Sequence, residues 1–185
     1  ASQASGFAIE TGPAADSFWL SRPDRGTDCR ELVGPAELVR NFAQRSVADG
    51  AIPTGWVVLD ILRVEAGQPR WQTDFDGDSI LPETGEWQRA SLAKGCYAGQ
   101  EVVARIDTYG EAPRQLCRLD FDHVEVPLMG ASLHDDQNRP VGTVTSWVWS
   151  PRQGKAIGLG VIKRKALQDQ QVLYAVSGQD RVMTT

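Results

Sequence analysis

From residue 115 to residue 184 the chain alternates short apolar-rich runs with turn signals, a pattern that few folds accommodate. Strand signals cover 115–121, 131–134, 141–149, 155–162, 171–176 and 181–184. Met129-Gly130, Asp135-Asp136-Gln137-Asn138, Ser150-Pro151 and Ser177-Gly178 separate them. Short strands at this spacing predict a small antiparallel β-barrel or a sandwich. Ala112-Pro113 precedes the first strand and marks a boundary, dividing 1–112 from 113–185. Trp147 and Trp149 flank Val148 and share one face, which predicts packing rather than a ligand platform. Gly158-x-Gly160 lacks the third glycine of a dinucleotide fingerprint and follows no βα signal, so nucleotide binding is set aside.

The first part of the chain mixes periods. Phe7-Ala8-Ile9 and Phe18-Trp19-Leu20 read as strands about a Gly12-Pro13 turn, and 29–33 as a third. Gly34-Pro35 opens a helix with Leu38, Val39, Phe42 and Val47 on one face, closed by Gly50. Apolar positions 57, 58, 61, 62 and 64 predict a second helix, closed by Gly67, with a buried strand as the alternative. Strands followed by helices over this length predict an α+β module. Asp74, Asp76 and Asp78 alternate in the next loop. Counted from Asp74, Ser79 and Gly85 stand where a calcium loop needs glycine and glutamate, so a polar structured loop is expected instead.

Lys94-Gly95-Cys96-Tyr97-Ala98-Gly99-Gln100-Glu101 carries the chemistry. A thiolate is the reactive form of cysteine, and a neighbouring cation or helix N-terminus favours it. Lys94 supplies the cation. Gly99 begins a helix that ends by Tyr109-Gly110, with Val102, Val103 and Ile106 on one face and Glu101 at its positive end.

Composition narrows the function classes. The net charge is −5, which argues against a broad basic surface for nucleic acid, although Arg63, Arg70, Lys94, Arg105 and Arg114 leave room for a local patch. No apolar run reaches the roughly 18 residues of a membrane helix. Cys29, Cys96 and Cys117 form no C-x-x-C pair, and an odd, sparse set fits a reducing cytoplasm. Cys29 and Cys117 read as buried or half-buried packing residues. His123 and His134 read as solvated, and no spacing of these residues makes a metal site.

The Lys-Gly-Cys-Tyr-x-Gly-Gln-Glu stretch resembles the signature of YgfZ-type folate-binding proteins. These are relatives of the glycine-cleavage T-protein (aminomethyltransferase), linked to iron–sulfur cluster maintenance and tRNA modification. Asp60-Ile61-Leu62-Arg63-Val64-Glu65-Ala66-Gly67-x-Pro69 is similar to a second segment of that superfamily, and residues 141–160 resemble its C-terminal barrel. The resemblance implies a mixed α/β module of the folate-binding type followed by a small antiparallel β-barrel. It implies tetrahydrofolate as cofactor, with Glu65 facing the pterin; a carboxylate can accept two hydrogen bonds from an aminopyrimidine edge. Arg63 reads as its structural neighbour, paired with a carboxylate. Cys96 becomes the functional thiol beside Lys94, with Tyr97, Gln100 and Glu101 shaping the site. Asp74-Phe75-Asp76 followed by Leu81-Pro82-Glu83 resembles the loop before the cysteine motif. Tyr109-Gly110 departs from the arginine-glycine pair usual there, which weakens any anion or RNA contact at that corner.

The same resemblance implies that Ala1 follows an N-terminal portion holding one wall of the folate cavity and, in T-proteins, the catalytic aspartate. The chain then reads as a C-terminal fragment, a truncated form or a reduced natural variant, without aminomethyltransferase activity of its own. Three functions compete: a YgfZ-like accessory protein for iron–sulfur client enzymes, an aminomethyltransferase, and a non-catalytic scaffold in which Cys96 is buried. T-proteins generally carry an acidic or other residue where Cys96 stands, which counts against the second. Contact with tRNA is expected to be only indirect or weak, given the acidic balance. A lone cysteine cannot hold a cluster that usually takes four thiolates.

Overall fold

The computed structural model describes residues 8–21, 29–87, 90–91, 94–122, 127–168, 172–178 and 180–184. The chain divides into two compact units, Ala1–Ala66 and Gly67–Thr185. The expected boundary at 112/113 falls inside the second unit, just before a strand that starts at Arg114.

The first unit holds strands β1 (Ile9–Thr11), β2 (Phe18–Ser21) and β3 (Arg30–Val33) in one antiparallel sheet of order β1-β2-β3. Ser17 closes the turn between the first two by exchanging hydrogen bonds with the Ala14 backbone. Helix α1 (Ala36–Ala48) follows Pro35, whose fixed φ suits a helix entrance. Trp19 meets Phe42 edge-on, ring centroids 5.1 Å apart. The rest of the expected face of α1 is not enclosed. No α1 residue is buried, and Phe42 and Val47 remain exposed.

Helix α2 (Trp56–Glu65) settles the helix-or-strand alternative. Its apolar pattern is only partly answered by packing: Val64 is 1% exposed, whereas Trp56 and Val57 are 81% and 75% exposed.

The second unit contains a 3-10 turn (Leu81–Thr84), helix α3 (Gln100–Tyr109), and strands β4 (Arg114–Asp120), β5 (Ser132–His134), β6 (Pro140–Ser150), β7 (Lys155–Lys163), β8 (Leu173–Ser177) and β9 (Asp180–Thr184). A short helix, α4 (Arg164–Gln168), leaves the end of β7 without a sequence forewarning. The strands form one antiparallel sheet of order β4-β7-β6-β5-β8-β9. The sheet curls into a half-barrel, and a bridge from Phe121 to Thr184 ties its two edges at one end. The fold class is therefore α+β with a C-terminal antiparallel barrel, as expected.

Leu119, Phe121, Leu133, Val144, Ile162 and Ala175 fill the curl. The two glycines of Gly158-x-Gly160 serve this packing. A Cβ on Gly158 would sit 2.4 Å from the Ser146 carbonyl oxygen and 2.9 Å from the Phe121 ring. Trp147 packs against the same core, while Trp149 is half exposed. On α3, Val103 is buried and Ile106 half-buried, but Val102 is exposed and leaves the expected face. Among the described residues no helix is long and apolar enough to cross a membrane.

Candidate functional site

Cys96 stands exposed in the loop before α3. Gly99 adopts a left-handed φ of 82°, a conformation open to glycine without steric cost, and turns the chain into the helix. Gln100 then ties the loop back: its Oε1 accepts the Tyr97 N–H at 3.1 Å, and its own N–H donates to the Tyr97 carbonyl at 3.3 Å. This reciprocal pair holds the two residues that follow the thiol in a fixed turn. Lys94 is exposed, with its Nζ over the Tyr97 ring, 4.6 Å from the centroid. Cation–π contact at an exposed site is worth about 0.5–1 kcal/mol. The structure thus gives the Lys94 ammonium a seat on Tyr97 and brings Lys94, Cys96, Tyr97 and Gln100 into one loop. Glu101 lies exposed in the first turn of α3, where a carboxylate complements the helix dipole.

Arg63 and Glu65 belong to α2 in the first unit. Arg63 Nε donates to Asp60 Oδ1 at 2.6 Å, one helical turn back, the carboxylate pairing that its position suggests. Glu65 is half-buried at the last turn.

Cys29 and Cys117 are half-buried. Burial pushes the Cys117 thiol up from its ordinary value, against the pull of the Arg164 cation. His134 is a half-buried residue of β5 rather than a solvated loop residue, because its ring bonds Asn138 across the turn. His123 lies outside the described residues. Among the described residues no three His, Cys, Asp or Glu side chains are placed to hold a metal ion.

The loop after Gly67 carries the connection that the sequence did not reveal. Asp74 is 4% exposed. Its Oδ2 accepts the Arg70 N–H at 2.9 Å, and its Oδ1 accepts the hydroxyls of Thr145 and Ser146, each at 2.6 Å. Two neighbouring residues can aim at one oxygen because β6 slips register between Val144 and Ser146. Such a bulge redirects side chains that a regular strand would send to opposite faces. Glu83, in the 3-10 turn, is 5% exposed and takes Arg114 in a fork, Nε to Oε1 at 3.0 Å and Nη2 to Oε2 at 2.9 Å. The Glu83 hydrogen bond, more than the carboxylates of Asp76 and Asp78, holds the Arg114 guanidinium above its ordinary value. The local signals were the Asp74-Phe75-Asp76 loop and the Thr145-Ser146 hydroxyl pair, and neither names its partner.

Between this loop and β5–β7 lies a groove of about 610 Å³. Its lining includes Asp76, Asp78, Arg114 and Lys163.

The second unit is built on a six-stranded antiparallel half-barrel, and comparison gives it a closer reference. Residues 114–185 match the glycine cleavage T-protein C-terminal barrel domain. A chloroplastic protein of Arabidopsis thaliana whose name proposes a transferase is 36% identical over 120 residues, 65% of this chain and 27% of its own length. An aminomethyltransferase of Thermosynechococcus vestitus is 30% identical over 150 residues, 78% of this chain and 39% of its own. The crystal structure of the glycine cleavage system aminomethyltransferase T from Bartonella henselae shares the fold, with a TM-score of 0.82 and 20% identity over 93% of this chain and 48% of that one. The chain spans well under half the length of the first two relatives. These matches support the T-protein superfamily and do not distinguish the YgfZ type within it.

Proposed function

We propose that this chain is the folate-binding part of a YgfZ-type accessory protein of the T-protein superfamily, with Cys96 as its functional thiol. The observation that carries the reading is the exposure of Cys96 on a loop tied to the first turn of α3. A structural cysteine packs away from solvent, whereas an accessible thiol on a fixed loop suits exchange or transfer. In this reading Glu65 contacts the pterin of tetrahydrofolate, Arg63 steadies that turn of α2 through Asp60, and Lys94, Tyr97, Gln100 and Glu101 frame the thiol. The clients are iron–sulfur enzymes, including those that modify tRNA. Any cluster draws its other thiolates from the client, since clusters usually take four. The sparse cysteines favour a reducing compartment such as the cytoplasm.

A second reading, aminomethyltransferase chemistry, is favoured by one finding: 30% identity over 78% of this chain to a protein named aminomethyltransferase. Turnover of a lipoyl-bound aminomethyl substrate with tetrahydrofolate would establish it over the first.

Two measurements test the first reading. Alkylation of Cys96 against pH, with Cys96→Ser as the blank, gives a midpoint below the ordinary thiol value of about 8.5 if the thiol is primed. Absence of reaction under native conditions would overturn the thiol role. Calorimetric titration with tetrahydrofolate shows saturable binding that Glu65→Gln weakens roughly tenfold, as expected for losing one charge-assisted contact. Equal affinity in the variant would remove Glu65 from the pterin.

A further inference from the structure

A second, smaller cavity of about 180 Å³ lies where β7 passes into α4, and it shares no lining residue with the Cys96 loop. We infer that it binds one phosphate-type dianion, either free phosphate or the phosphoryl end of a larger molecule, through Lys163 and Lys165.

The first support is the charge of the lining. Asp135, Arg139, Lys163 and Lys165 are its charged residues, and Pro140, Val141 and Ala166 complete it. The one carboxylate is already engaged. Asp135 is 1% exposed; its Oδ1 accepts the Gln137 and Arg139 N–H groups at 3.0 and 2.8 Å, and its Oδ2 accepts Arg139 Nε at 2.6 Å. Asp135 and Arg139 cancel in charge, so Lys163 and Lys165 leave the cavity positive in a chain whose net charge is −5.

The second is the division of three consecutive cations. Arg164, between the lysines, is taken by residues outside the cavity. Its Nε donates to Glu111 Oε2 at 2.9 Å and its Nη1 to Gln115 Oε1 at 2.7 Å. Lys163 and Lys165 have no carboxylate partner among the described residues. Lys163 Nζ gives one hydrogen bond, 3.0 Å to the Pro140 carbonyl, and an ammonium has three to give. That bond also holds the ammonium against a residue of the lining. Lysine binds phosphate as a point charge and needs no fork geometry to do so.

The third is size. Sites that enclose a whole small molecule run to about 300–1,000 Å³, so 180 Å³ suits a single charged group. A cavity of that volume is about 7 Å across when round, shorter than the roughly 8–10 Å over which salt screens a charge. A dianion inside it is therefore attracted by both lysines whatever their exact disposition around it. Val141 and Ala166, each 7% exposed, make the rest of the lining apolar, and attraction between charges strengthens where water is displaced. A cation is repelled, and a singly charged anion gains from the two lysines only half of what a dianion gains.

The test is a 15N chemical-shift titration of the intact chain at constant ionic strength with inorganic phosphate, methyl phosphate and acetate. It is run at about pH 8, where a phosphate ester carries two charges. The expected result is saturable shifts of the Arg139, Val141 and Ala166 amides with phosphate. Methyl phosphate binding as well as inorganic phosphate marks the phosphoryl end of a larger molecule, and binding of inorganic phosphate alone marks the free ion. Acetate should bind at least about fivefold more weakly, the loss of one exposed ion pair. Lys163→Met and Lys165→Met should each weaken phosphate by a similar factor, while the Leu133 and Val144 amides of the core keep their positions. Lys165→Arg, which keeps the charge, should bind like the parent chain. Absence of saturable shifts with both phosphates overturns the proposal. So does equal binding of acetate, indifference to both methionine substitutions, or a loss in Lys165→Arg as deep as in Lys165→Met. The Cys96 and tetrahydrofolate measurements stand apart from all of these results.

Discussion

Removing the Ser146 hydroxyl should destabilise the chain far more than an ordinary serine substitution does. Ser146 is 1% exposed and its hydroxyl donates to a buried carboxylate at 2.6 Å. A hydrogen bond to a charged group contributes about 1.5–3 kcal/mol, and Ser146→Ala leaves the buried Asp74 oxygen one donor short. The expected cost is about 2 kcal/mol. For a unit of this size that lowers Tm by roughly 8 °C. Asp74→Ala removes the acceptor of Arg70, Thr145 and Ser146 at once and should cost about 4 kcal/mol. The double variant should fall short of the sum by about 1–2 kcal/mol, because both substitutions remove the same bond. Thr145→Val should cost less than Ser146→Ala, since the Thr145 hydroxyl is shared between Asp74 and the Leu159 carbonyl. Urea unfolding followed by tryptophan fluorescence and calorimetry measures all four. A Ser146→Ala cost under about 0.5 kcal/mol, the range of an ordinary surface change, or simple additivity would refute the reasoning.

Three further outcomes follow from the packing and charge. Gly158→Ala should destabilise by about 3 kcal/mol or prevent folding, because its methyl would meet the Ser146 carbonyl oxygen at 2.4 Å; an unchanged urea midpoint would contradict this. Gln100→Ala should speed amide exchange at Tyr97 and change the Cys96 alkylation rate, while Gln100→Glu, which keeps the acceptor, should restore both; equal behaviour of the two variants would dissolve the loop tie. Burial of the Asp135 carboxylate raises its pKa, but the Arg139 N–H, the Arg139 guanidinium and the Gln137 N–H together hold it below the ordinary value. A depressed folded pKa gives stability that is present above the unfolded value of about 3.9 and lost as pH falls through the folded one. Arg139→Met should therefore flatten the acid limb of a Tm-against-pH curve below about pH 4, and an unaltered limb would count against the pair.

The barrel strands were legible because their alternation is local: each of the six predicted runs overlaps a strand of the sheet. The cysteine motif likewise showed the helix start, since Gly99 and Gln100 act on immediate neighbours. The reading failed where the partner is distant or absent. Phe42 and Val47 have helical spacing toward a core, yet the first unit leaves them exposed. Val102 and Val103 share the helical face of Ile106 at four- and three-residue spacing, yet only Val103 is buried. The Asp74 hub joins residues 71 and 72 positions apart through a register slip, and no local pattern encodes either. Glu83 and Arg114 are separated by 31 positions and read separately as ordinary charges.

The strand order has a consequence for synthesis. β4 pairs with β7, past two intervening strands, and the seam between Phe121 and Thr184 joins the first strand region of the sheet to its last. Closing such long loops precedes any reward from the contacts they make, so folding dominated by them is slow. On the ribosome, β4 emerges with no strand to pair with, and the Leu119–Phe121 apolar side chains wait in the open until β7 has cleared the exit tunnel. Transiently exposed apolar surface and unpaired strand edges of this kind are prone to aggregate. Synonymous codons that slow translation between β4 and β7 should therefore lower the soluble yield, whereas the same slowing before Gly67, ahead of the second unit, should leave it unchanged.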